Sequence, residues 1–100
     1  MQITVRYFAG CPNWRVAEER LRVALAETGE HHIPVALEPV ETHEEAVRLG
    51  FHGSPTILVD GHDPFGIDGT PVGLACRIYA TEDGFQGAPT IDQLRAAISA

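Results

Sequence analysis

Gln2–Phe8 (QITVRYF) is rich in β-branched and aromatic residues, with Ile3, Val5 and Tyr7 on one face, and it stops at Ala9-Gly10 directly before Cys11-Pro12. Proline at a first helical position gives up only an N–H that has no intrahelical partner, so Cys11-Pro12 opens a helix. That helix runs to about Thr28, where Gly29 can close it. Trp14, Ala17, Leu21, Ala24, Leu25 and Thr28 recur at three- and four-residue steps, the stripe of a helix that lies on a sheet, and Val16 and Val23 fall on the opposite side. A strand handed straight to such a helix commits the chain to α/β layering.

The remaining segments fill in that plan. Ile33–Val40 alternates Ile33, Val35 and Leu37 on one face, and Pro34 and Pro39 each remove a ladder donor, which predicts an edge strand. Thr42-His43-Glu44-Glu45 has the form of a capping box before a short helix that Gly50 can end. Thr56–Asp60 (TILVD) carries three consecutive apolar residues, as expected of a central strand covered on both faces. Gly61–Ala75 is rich in glycine and proline and reads as a long loop, the kind that is usually functional or mobile. Cys76–Ala80 reads as a short strand pairing with Thr56–Asp60, TEDGFQGAP as a turn-rich connection, and Thr90-Ile91-Asp92-Gln93 as a second capping box before a last helix. The predicted order is β-α-β-α-β-β-α: one domain over residues 1–100, with a four-stranded mixed sheet and flanking helices.

Composition narrows the function. The chain has 100 residues, 44% of them hydrophobic and 21% charged, as a globular domain has. Its formal net charge of −7 repels nucleic-acid phosphates and anionic bilayers, so neither is expected as a partner. All seven basic residues are Arg, which excludes a Schiff-base or P-loop lysine. The start lacks a basic, apolar leader pattern, and no stretch approaches about 18 consecutive apolar residues. A cytoplasmic location, where thiols normally stay reduced, is the expectation.

Two cysteines are too few for a disulfide scaffold, a four-cysteine zinc site or an iron–sulfur cluster within one chain. Cys11 lies at a helix start, where unpaired N–H groups and the helix dipole favour a thiolate, and such cysteines titrate at about 3.5–7.5 instead of about 8.5. It reads either as an inert buried thiol or as a nucleophile, and the Gly-Cys-Pro turn favours the nucleophile. Cys76 reads either as a reduced residue buried in its strand or as the partner of Cys11. His31, His32, His43, His52 and His62 do not fall at the spacing of a helical metal pair, and no metal site or cofactor is assigned. His52, three residues before Pro55, could hydrogen-bond or protonate a thiol, since imidazoles in general titrate near neutral pH.

Phe8-Ala9-Gly10-Cys11-Pro12 after the first strand and Gly53-Ser54-Pro55-Thr56 before the third resemble the thioredoxin-like superfamily, over nearly the whole chain. The resemblance implies that Cys11 is a nucleophile facing a cis-proline at Pro55, with Pro12, Trp14, Ser54 and Pro55 lining the substrate groove. The family's Cys-x-x-Cys is absent, because Trp14 stands at the resolving position, and Cys76 is the internal candidate for that role. The expected substrate is a thiol or disulfide. Glutaredoxins, which the element order resembles, hold the glutathione carboxylates with basic residues and a turn after the last strand; the absence of Lys and the acids Glu82 and Asp83 leave glutathione use open.

Ser54–Gly61 followed by Gly73-Leu74-Ala75-Cys76-Arg77 is similar to the thioredoxin-like half of alkylmercury lyases, which implies two thiolates on mercury and an acid that protonates the leaving carbon. Asp60, Asp63 and Asp68 are the candidates for that acid. Three functions are therefore weighed: thiol–disulfide exchange through Cys11, soft-metal or organomercury binding by Cys11 and Cys76, and a binding module that keeps the groove without the chemistry.

Overall fold

The computed structural model describes residues 1–66 and 69–99. Its elements are β1 (Ile3–Tyr7), α1 (Asn13–Glu27), β2 (Val35–Pro39), α2 (His43–Leu49), β3 (Thr56–Val59), β4 (Tyr79–Thr81), β5 (Gly84–Gln86) and α3 (Ile91–Ser99). β1 is the central strand of a three-stranded mixed sheet in the order β2-β1-β3, parallel to β2 and antiparallel to β3. β1 takes that place because Ile3 and Val5 are both buried against the helices, while Arg6 on the other face meets Glu38 across the β1–β2 register at 2.6 Å.

The four-stranded sheet expected from the sequence does not form. β4 pairs with β5 in a separate two-stranded ribbon, and β3 ends the main sheet as an edge strand instead of a central one. The reason is local. Thr81-Glu82-Asp83-Gly84 makes a turn in which the Thr81 hydroxyl donates to the Gly84 carbonyl at 2.6 Å and accepts from the Asp83 N–H at 3.1 Å. Phe85 is thereby brought back opposite Ala80. Closing so short a loop costs less chain entropy than extending the distant β3. The segment read as a turn-rich connection therefore contributes a strand of its own, and the order is β-α-β-α-β-β-β-α.

The helix signals translate directly. In α1 the buried residues are Ala17, Leu21, Ala24 and Leu25, and with Leu94 and Ile98 of α3 they cover Ile3, Val5, Val35 and Ile57. A second, smaller cluster of Val40, Ala46 and Phe51 holds α2. Thr42 caps α2 by accepting the Glu45 N–H at 3.1 Å. The box at α3 is reciprocal: Thr90 Oγ1 accepts the Gln93 N–H at 3.1 Å, and Gln93 Oε1 accepts the Thr90 N–H at 2.9 Å. Arg20 of α1 donates to Gln86 and to the Pro89 carbonyl, both at 3.1 Å, and so ties the β4–β5 ribbon to the helical layer. No helix among the described residues is long and apolar enough to cross a membrane.

Candidate functional site

Three segments distant in sequence meet beside the start of α1. The β1–α1 turn supplies Cys11, whose N–H donates to the Phe8 carbonyl at 3.0 Å. The loop before β3 supplies Gly53-Ser54-Pro55, with a cis Ser54–Pro55 peptide bond. The end of the long loop supplies Ala75-Cys76-Arg77. Backbone bonds clamp the last two together: the Ser54 N–H donates to the Ala75 carbonyl at 2.8 Å, and the Arg77 N–H donates to the Ser54 carbonyl at 2.9 Å.

Cys76 therefore faces Ser54 in a single parallel bridge, where the sequence suggested a strand paired along β3. Its sulfur is bonded to that of Cys11, with the Cα atoms 5.7 Å apart. The two ends of the disulfide are unequal. Cys11 has 0% of its surface exposed, whereas Cys76 is exposed. Cys11 Sγ lies 3.7 Å from the Ser54 carbonyl oxygen, so that oxygen is positioned to accept a hydrogen bond from the thiol once the disulfide is reduced.

Arg77 holds this arrangement. Its guanidinium is buried and donates to Asp63 Oδ2 at 2.7 Å, to Asp63 Oδ1 at 3.4 Å and to the Phe65 carbonyl at 2.6 Å. It also lies 4.6 Å from the centre of the Tyr79 ring. The fork of donors satisfies a carboxylate and a carbonyl of the long loop at once, which a lysine ammonium would do less well. Tyr79 in turn donates its hydroxyl to the Pro55 carbonyl. Burial pushes the Tyr79 phenol up from its usual range, against the Arg77 charge and with the Asp63 charge, so it stays a donor.

Gly53 permits the close approach: its φ is +110°, and a Cβ there would sit 3.0 Å from Arg77 Cβ and 3.3 Å from the Ala75 carbonyl oxygen. Gly53 and Arg77 stand in the sequence only as members of the Gly53–Thr56 and Gly73–Arg77 segments, and neither their own roles nor that of Tyr79 is marked there. The buried arginine among exposed neighbours is visible only once Asp63 folds back onto it.

The residues expected to line a groove are spread over different environments. Ser54 and Pro55 are fully buried, and the Ser54 hydroxyl has no hydrogen-bond partner. Pro12 is exposed at the N-cap position of α1, one residue before the helix and without a side-chain capping bond, where the sequence suggested a first helical position. Trp14 is partly buried, stacked on Tyr7 at 4.3 Å, with the Arg15 guanidinium 5.2 Å from its ring centre.

Of the carboxylates considered as proton donors, Asp63 is committed to Arg77 and Asp60 accepts the Gln2 N–H at 2.8 Å at the far end of β3. Asp68 lies outside the described residues. Among the described residues no group of three or more His, Cys, Asp or Glu is placed to hold a metal ion. His52 Nδ1 lies 3.3 Å from the Pro71 carbonyl oxygen, in the wall of a cavity that Cys76 also lines. Compared with protein-family models, curated proteins and solved structures, the chain matches none.

Proposed function

We propose that the chain is a thiol–disulfide exchange protein whose redox couple is Cys11 and Cys76. The observation that carries this reading is the disulfide itself, buried at the Cys11 end and exposed at the Cys76 end. Exposed disulfides are the labile, regulatory or catalytic ones, whereas a structural crosslink gains nothing from an open end. The resemblance of Gly-Cys-Pro and Ser-Pro-Thr to thioredoxin-like proteins points to the same chemistry, with Cys76 in the role that the missing Cys-x-x-Cys leaves open.

The test is turnover. The oxidised protein, mixed with dithiothreitol and a small disulfide, accelerates their exchange, and either Cys11→Ser or Cys76→Ser abolishes the acceleration. A disulfide that survives in the folded protein under excess dithiothreitol, or acceleration that persists in both variants, overturns the reading.

A second reading is favoured by the same proximity: once reduced, two adjacent thiolates form a two-coordinate site for a soft ion. Mass spectrometry of the reduced protein after mercuric chloride would then show one ion per chain, absent from both single-cysteine variants. This reading is limited to binding the ion, since Asp60 and Asp63, two of the acids considered for carbon–mercury cleavage, are engaged elsewhere.

A further inference from the structure

Beside the disulfide is a cavity of about 340 Å³, lined by Cys76 together with His52, Phe65, Pro71, Ile78 and Tyr79, and Cys11 is not part of its wall. Its volume is at the small end of ligand pockets, room for one small molecule. The wall is mostly apolar, and Ile78 stands 70% exposed at its edge. The one arginine in the wall, Arg77, is spent on Asp63 and the Phe65 carbonyl. An anionic ligand thus finds no free arginine among the described lining residues, on a chain whose net charge is −7. Resting on the thiol-exchange reading, we infer that this cavity binds a small, uncharged apolar thiol and presents it to Cys76, which reverses the order of attack that the position of Cys11 suggests.

The steps balance. The thiol loses its proton and, as R–S⁻, attacks Cys76 Sγ; the R–S–Sγ bond of the mixed disulfide forms as the Cys11–Cys76 bond breaks. Cys11 leaves as a thiolate and takes up a proton, which stays on Sγ and is directed in a hydrogen bond at the Ser54 carbonyl, the oxygen already 3.7 Å away. A second R–S⁻ attacks the R sulfur of the mixed disulfide, releasing R–S–S–R and the Cys76 thiolate. Two electrons pass from two thiols to the protein, and a disulfide substrate runs the same steps backwards. Attack on Cys11 is closed to an incoming sulfur because that residue has no exposed surface.

Two measurements on the oxidised wild-type protein test this. First, brief exposure to a limiting thiol, an acid quench and peptide mass spectrometry locate the adduct. It is expected on Cys76, and an adduct on Cys11 overturns the inference while leaving the redox couple intact. Second, exchange rates are compared for benzyl mercaptan, 2-mercaptoethanol and glutathione, each divided by its rate with an oxidised cysteine peptide so that intrinsic thiol reactivity cancels.

The normalised rate should fall in that order, with benzyl mercaptan ahead of 2-mercaptoethanol by about tenfold, a preference that asks for only about 1.4 kcal/mol. Ile78→Ser, at an exposed position, should shrink that lead. Equal normalised rates for the two neutral thiols overturn the cavity's role. A lead unchanged in Ile78→Ser together with Phe65→Ala does the same, provided circular dichroism shows both variants folded.

Discussion

Reducing the Cys11–Cys76 bond should cost the fold most of the stability that a long crosslink confers, and little else. The two cysteines are separated by 65 positions in sequence. In the chain-entropy model a closed loop of that length removes enough freedom from the unfolded chain to stabilise the native state by about 4 kcal/mol at 25 °C. The native side should add little to that figure. The Cys11 thiol stays buried, with the Ser54 carbonyl at hand to accept its hydrogen bond, and the Cys76 thiol is at the surface.

For a domain of this size each kcal/mol moves the melting point by about 4–8 °C, so reduction should lower it by roughly 15–30 °C. Guanidinium unfolding with and without a phosphine reductant measures the difference directly. Cys76→Ser should match the reduced protein, whereas Cys11→Ser, which forces a shorter hydroxyl into a site with no exposure, should lie lower still by about 1–3 kcal/mol. A loss below about 1 kcal/mol on reduction would refute the reasoning, because it would mean that the crosslink does not constrain the unfolded chain as the model requires.

Arg77→Ala should destabilise the fold by about 3 kcal/mol or more, since it leaves a largely buried carboxylate unpaired, and Asp63→Asn should cost less because the amide can still accept one guanidinium bond; chemical denaturation ranks the two. Gly53→Ala should cost about 1–3 kcal/mol, from the positive φ and the 3.0 Å approach to Arg77 Cβ, and should slow re-formation of the disulfide after reduction, read by alkylation and mass spectrometry. In Tyr7→Phe, ultraviolet titration should show no phenolate from Tyr79 near pH 10 while the protein stays folded, because burial holds that phenol above its usual value. Since the folded pKa lies above the unfolded one, the native state binds the proton more tightly: this contribution is intact below about pH 10 and is lost as pH rises beyond it, so alkaline unfolding should come later in Tyr79→Phe than the neutral-pH stabilities alone imply.

Local chemistry explains which parts of this fold can be read from the sequence. Both capping signals and the glycine after α2 act within a few residues: the Thr90 box forms both of its bonds, and the Thr42 box forms the hydroxyl bond while Glu45 takes the Glu41 N–H at 3.4 Å. The stripe on α1 is legible for the same reason: helical periodicity fixes which face meets the sheet before anything is known of the partner. The rank of β3 in the sheet is not legible, because a run of three apolar residues reports burial on both faces and says nothing about whether another strand lies beyond it. Loop, helix and ribbon can cover an edge as completely as a strand does, and β3 is buried along most of its length at the edge of its sheet. The extra strand β5 was signalled only by its turn. Gly84-Phe85-Gln86 is too short for a period to register, and its pairing with β4 rests on side-chain bonds from Thr81.

The site divides along the same line between local and long-range information. A helix start bears on the charge state of a cysteine placed there, and that argument is available from Gly-Cys-Pro alone. Access is a different property, set here by a segment more than sixty residues away. Asp63 and the Phe65 carbonyl draw Arg77 inward, Arg77 carries Cys76 to the Ser54 loop, and the chain that arrives covers Cys11 and leaves Cys76 at the surface. A sulfur that nothing can reach cannot be the attacking group, but it can still be the one that departs, since departure needs no approach path. Burial thus assigns Cys11 the departing role, and the exposed end of the bond falls to the residue that the long loop delivers.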